Sequence, residues 1–269
     1  MDKASLETQV LHDLEKSGFG AEMRAAKTVL DCGWQLDVCR RFDDTDEGKS
    51  RELDIPAWRA LTAEHLGWTV YSHFQIVGEV KKSDKPWVVF REPYVRSSDL
   101  EIAWSGLVFS DLPHGQRGGE LYAAISTGLA DHLGWIGYGI HEAFKRPDQP
   151  SRSYAAMITA CKASEHMLDG NSWDLSEDSN SSCAHIYYFQ PTVILEGELM
   201  AAWLDASADI HVESVPMASV FFEFGSSTYR RCRYHVNLVR LDSLREYIGL
   251  CQQQHDRISA AHLAALRQR

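Results

Sequence analysis

Two stretches decide how this chain is read: Arg51-Glu52-Leu53-Asp54-Ile55, and Phe74-Gln75-Ile76-Val77-Gly78-Glu79-Val80-Lys81-Lys82-Ser83, with Trp87-Val88-Val89-Phe90 soon after. Apolar and β-branched residues dominate them, the composition of buried strands. Side chains alternate faces along a strand, so Glu79 and Lys81 share one face while Val80 points to the other. With Asp54 on a neighbouring strand, three charged groups meet at one edge of a buried sheet. Unpaired charge is costly there, and a bound cation is a natural reason for it.

On the N-terminal side, Leu6, Val10, Leu11 and Leu14, then Met23, Ala26, Val29 and Leu30, keep helical spacing over about 5–30. Gly18 and Gly20 divide that run into two helices, the second carrying Glu22. A strand is expected to begin at 34–38. The acidic run Asp43-Asp44-Thr45-Asp46-Glu47-Gly48-Lys49-Ser50 reads as a solvated hairpin loop. Its Gly48-Lys49-Ser50 matches the end of a phosphate-binding loop, but Asp43 stands where the earlier glycine is required, and an acid there repels phosphate. The same carboxylates lack the glycine and terminal glutamate of a calcium-binding EF-hand.

Strands are expected over 53–61, 68–80 and 87–90, joined through 62–67 and 83–86 as an antiparallel meander. Helices follow over 120–133 and 153–168, with a charged linker at 144–150 and a polar loop at 170–182. Further strands are expected over 185–195, 208–215, 218–224 and 234–240, and a closing helix over 241–268. This alternation predicts an α/β domain with a mixed central β-sheet flanked by helices. One domain spans 1–269, with a core at about 5–135; the part from about 182–269 extends the sheet or packs as a lobe.

The formal net charge of -11 argues against a broad basic surface for nonspecific nucleic-acid binding, but leaves room for a local basic groove. The densest basic and aromatic patch is Arg230-Arg231-Cys232-Arg233 between Tyr229 and Tyr234, more in keeping with a solvated strand edge than with a base-stacking surface. Six cysteines, none in a CxxC pair, predict reduced thiols and a cytoplasmic protein. No apolar run reaches the roughly 18 residues of a membrane span, and the first residues lack the apolar core of a signal peptide. His114, His132, His141 and His166 have no paired carboxylates at ligand spacing.

Taken with Glu22 on the preceding helix, Asp54 and Glu79-Val80-Lys81 resemble the PD-(D/E)xK nuclease superfamily, the restriction-endonuclease-like fold. That family places an Asp on one strand and a (D/E)xK element on the next, after a helix carrying a further Glu. The resemblance covers about 20–90 and includes the continuation Lys82 to Phe90; Leu53 stands where the nominal proline precedes the Asp.

The resemblance implies that Asp54 and Glu79 ligate Mg²⁺, with Mn²⁺ able to substitute, and that the Val80 carbonyl is a third ligand. Lys81 would orient or deprotonate the attacking water, its pKa lowered by the metal and by partial burial. Glu22 would act through water or on a second metal. The implied activity is that of a hydrolase, a nuclease of endonuclease type cutting DNA in defence against foreign DNA or in repair. RNA stays open as a substrate, as does action as a homodimer or with a partner protein. The rival class is a nuclease-like scaffold that binds without cutting.

Overall fold

The computed structural model describes residues 3–37, 40–65, 67–93, 107–110, 119–126, 128–146, 148–173, 183–229 and 233–266. Helices α1 (Lys3–Ser17) and α2 (Phe19–Asp31) meet at Gly18, whose φ of 99° only glycine adopts without strain. Strands β1 (Gln35–Leu36), β2 (Arg41–Asp44), β3 (Lys49–Glu52), β4 (Ile55–His65) and β5 (Trp68–Lys82) follow. Then come β6 (Trp87–Pro93), β7 (Leu107–Ser110), α3 (Gly119–Ser126), α4 (Leu129–Leu133) and β8 (Trp135–Glu142). Helix α5 (Arg152–Trp173) leads to β9 (Cys183–Glu196), β10 (Leu199–Leu204), β11 (Ile210–Ser214), β12 (Met217–Glu223) and β13 (Arg233–Arg240). Helix α6 (Leu244–Leu266) completes the described chain.

All strands among the described residues except the β2–β3 hairpin join one mixed sheet, ordered β1-β4-β5-β9-β13-β12-β8-β6-β10-β11, with β7 also pairing β9. Even positions of β5 (Val70, Phe74, Ile76, Val80) face a core made with α2, α3 and α6. On the opposite face Val77 joins Phe42, Leu53 and the buried side of α5. The C-terminal strands are therefore part of the sheet: β9 lies against β5 in parallel, with Glu79 opposite Val193 and Lys81 opposite Leu195. No helix among the described residues is long and apolar enough to cross a membrane. Cys32, Cys161, Cys183 and Cys251 are unbridged.

Several expectations need correction. The meander stops after β4 and β5: β6 pairs with β8 antiparallel and β10 in parallel, never with β5. The Ser83 and Trp87 amides donate to the Glu196 and Glu198 carbonyls, so the chain leaving β5 is drawn to the β9–β10 turn and cannot fold back on β5. The β4–β5 hairpin is also tighter than expected, its strands running to the His65–Trp68 pair.

Strand β8 is unannounced in the sequence because Gly137 and Gly139 weaken its pattern. The bare Gly137 backbone is needed there, since a Cβ would collide with Val89. Strand β10 (Leu-Met-Ala-Ala-Trp-Leu) lacks strand alternation but is recruited by β6. The acidic hairpin is not fully solvated: Asp44 is buried against Lys162 of α5.

Candidate functional site

The site forms where β4 begins and β5 ends. Asp54 occupies the bend between β3 and β4, one residue before the strand that was expected to carry it. Ile55 faces Gly78 across the β4–β5 ladder, and a Cβ on Gly78 would lie 2.9 Å from the Ile55 Cβ. The missing side chain lets the start of β4, and Asp54 with it, approach β5. The Val80 amide then donates to Asp54 Oδ2 at 2.8 Å, which fixes the carboxylate over the strand.

Lys81 Nζ sits among three oxygens. It donates to Glu79 Oε2 at 2.7 Å and to the Val80 carbonyl at 3.0 Å, and stands 3.5 Å from Asp54 Oδ2. Burial pushes the Glu79 carboxyl up to about 7, Asp54 adds to the rise, and Lys81 opposes both. For Lys81, burial acts to lower the pKa, but the two carboxylates outweigh it and hold the amine above its ordinary value. The protein's own groups thus keep Lys81 charged, the reverse of the lowering expected from burial.

Glu22, in the first turn of α2, opens on the same cleft. Burial raises its pKa, with the nearby Asp54 charge as the next cause. It does not join Asp54 and Glu79 closely: among the described residues, no three His, Cys, Asp or Glu side chains cluster tightly enough to hold a metal. What converges is two carboxylates and one backbone carbonyl. Such an all-oxygen set suits a hard divalent cation that keeps several of its waters.

The cleft has a volume of about 530 Å³, and its wall carries cations that the sequence reading did not single out: Lys16 of α1, Lys82, and Arg152 at the start of α5. Arg152 is anchored by donating to the Lys82 carbonyl at 2.9 Å, and Lys82 Nζ donates to the Glu15 carbonyl at 2.8 Å. Lys82 was visible beside Lys81 in the sequence; Arg152 is the first residue of a helix, 70 positions further along the chain, and carried no signal. A larger cavity of about 600 Å³ lies beyond; its cations Arg24, Lys27, Arg240 and Arg245 are each ion-paired to a carboxylate, as Lys82 of the first cleft is to Glu196 at 3.5 Å.

The Arg230 to Arg233 run lies mostly outside the described residues. Its flanking aromatics do not form a stacking platform: Tyr234 is buried against Phe224, and the Tyr229 ring lies near Lys162. Among the histidines singled out, His114 is outside the described residues and His166 packs beside Phe42.

Comparison of the chain with protein-family models, with curated proteins and with solved structures finds no match.

Proposed function

We propose that the chain is a metal-dependent phosphodiesterase of the restriction-endonuclease-like type, a nuclease acting on DNA. The observation that carries this reading is the convergence of Asp54, Glu79 and the Val80 carbonyl around the Lys81 amine, with Val80 and Lys81 lining a cleft whose wall carries Lys16, Lys82 and Arg152 among the acids Glu15, Glu22 and Asp84. Asp54, Glu79 and Val80 would hold Mg²⁺ or Mn²⁺, which supplies charge neutralisation at the phosphoryl oxygens and a more acidic water. Lys81 positions the attacking water from the same strand face as Glu79. Glu22 contacts the site through water. Lys16, Lys82 and Arg152 face the flanking phosphates of the strand, as electrostatic complementarity requires.

The second reading is a nuclease-like module that binds without cutting. It draws on Lys81, which already pairs with both carboxylates, and on the net charge of -11. Metal-dependent thermal stabilisation separates the two. Saturating Mg²⁺ at about 100 times its dissociation constant stabilises a native-state binder by about 2.7 kcal/mol. The wild type is expected to show a rise in melting temperature that Asp54→Ala abolishes. An absent shift, or an equal one in Asp54→Ala, favours the binding module.

A further inference from the structure

Strand β11 is the last in the sheet order and pairs with β10 alone among the described strands. All five of its residues are exposed. Natural edge strands are commonly blunted by charged side chains, proline or a bulge; Ile210-His211-Val212-Glu213-Ser214 carries one carboxylate, Glu213, but no proline or lysine, and its pairing with β10 runs without a register shift.

The direction of its backbone groups follows from the β10–β11 ladder. Hydrogen-bonded and non-hydrogen-bonded pairs alternate along an antiparallel ladder. The Val215 amide donates to the Leu199 carbonyl at 2.9 Å, and the Asp205 amide to the Asp209 carbonyl at 3.1 Å. Those two bonds set the phase: Asp209, His211, Glu213 and Val215 bond toward β10. Ile210, Val212 and Ser214 therefore turn their N–H and C=O groups outward.

An antiparallel second copy of β11 must hydrogen-bond through those outward residues. Three two-fold registers overlap most of the strand. Pairing Ile210 with Val212 sets His211 against His211, and pairing Val212 with Ser214 sets Glu213 against Glu213. Pairing Val212 with Val212 instead places His211 opposite Glu213 on both sides of the axis, the only one of the three that opposes unlike groups there. His211 already contacts Asp205 at 2.8 Å, and Glu213 contacts Arg91 at 2.6 Å. Across the axis these contacts line up, from Asp205 through His211 to Glu213 and Arg91 of the second copy.

The opposite face adds apolar cover. Leu204 pairs with Ile210 and Ala202 with Val212, so these side chains share a face. Leu204, Ile210 and Val212 are 63%, 75% and 52% exposed, a large apolar surface for so short a hairpin. Ala202 lies beside Phe90, which contacts the exposed Tyr138 at 6.1 Å.

We propose that two copies of this chain associate through antiparallel β11–β11 pairing centred on Val212, joining their sheets into one. This inference stands apart from the proposed chemistry. It is tested by sedimentation of the full chain over a range of concentrations, with two variants. Val212→Pro deletes an outward N–H and leaves the β10–β11 bonds intact, since proline is tolerated on the free side of an edge strand. Val212→Cys puts two thiols on the axis, at a Cα separation of ~5.5 Å for a hydrogen-bonded pair, within disulfide reach. Ser214→Cys lies too far from its own copy to bridge.

The expected result is a wild-type particle of twice the 30.4 kDa chain mass at high concentration, and a monomer for Val212→Pro. Under mild oxidation, Val212→Cys gives a crosslinked dimer, and Ser214→Cys and wild type do not. A wild-type monomer at every concentration overturns the proposal. So does a dimer that gives no Val212→Cys crosslink or crosslinks equally through Ser214→Cys. The cysteine variants keep the test decisive should Val212→Pro fail to fold.

Discussion

Replacing Lys162 by methionine keeps the length of a side chain in the core beneath α5 but removes its charge. Lys162 Nζ lies 2.8 Å from Asp44 and 3.0 Å from Asp46, and its side chain is 7% exposed against 2% for Asp44. Burial acts to raise the Asp44 pKa, but Lys162, the Glu47 amide and Arg51 outweigh it and hold the carboxyl below the ordinary range. Breaking a buried pair by deleting one partner costs about 3–5 kcal/mol, because a charge is left behind without compensation. Here Arg51 still contacts Asp44 at 3.0 Å, and Asp46 keeps the hydroxyls of Thr228 and Ser226. The loss should therefore fall at or just below the lower end of that range, at about 2–3 kcal/mol. Urea unfolding measures it directly. In Lys162→Met/Asp44→Asn the stranded carboxylate is gone, so the double variant should recover part of the loss. A loss below about 1 kcal/mol, the scale of an exposed pair, would refute the idea that this contact fastens the β2–β3 hairpin.

Two further predictions follow from the geometry around the site. Gly78→Ala inserts a methyl group 2.9 Å from the Ile55 Cβ and 3.1 Å from its carbonyl oxygen, so it should cost about 1–3 kcal/mol, the range for overpacking a core, and weaken the metal-induced thermal shift. Wild-type stability with an unchanged shift would contradict the close approach of β4 and β5. The second concerns pH. Burial pushes His255 and His235 down to about 4; such groups contribute stability present above the unfolded value near 6.5 and lost as pH falls toward 4. Glu79, raised to about 7, acts in the opposite sense: its contribution is present below the unfolded value and lost as pH rises through 7. The wild type without metal should thus show a shallow stability profile between pH 4.5 and 6.5, and Glu79→Gln a steeper acid loss. Superimposable profiles would remove the support for a raised Glu79.

Local features of this chain were legible because they depend on neighbours in sequence. Gly18 splits the N-terminal helices as read, although Gly20, expected to share in the break, lies within α2, and the alternation of Glu79 and Lys81 puts both on one face, where the Lys81 amine meets Glu79. Glu22 does open on the same cleft, although it stays apart from the two carboxylates. Sheet neighbours were not legible. Strand β6 leaves β5 because Ser83 and Trp87 bond to the β9–β10 turn, a partner more than 100 residues away in sequence. The same distance hid the Asp44–Lys162 pair: an acidic run reads as solvated until the lysine that buries it is placed. Arg152 reaches the cleft only because α5 starts beside the end of β5, and nothing in the residues around it foretells that position.

Whether Asp54, Glu79 and Lys81 together hydrolyse phosphodiesters, as proposed, is decided by a cleavage assay. Linear, supercoiled and single-stranded DNA, with RNA alongside, would be incubated with Mg²⁺ or Mn²⁺ and either wild-type protein or Lys81→Ala. The expected result is metal-dependent cutting of DNA by the wild type that Lys81→Ala reduces by at least about 100-fold, the lower range for a positioned acid or base group. Cutting that survives Lys81→Ala, or no cutting of any substrate by a wild type that binds metal, would contradict the proposal.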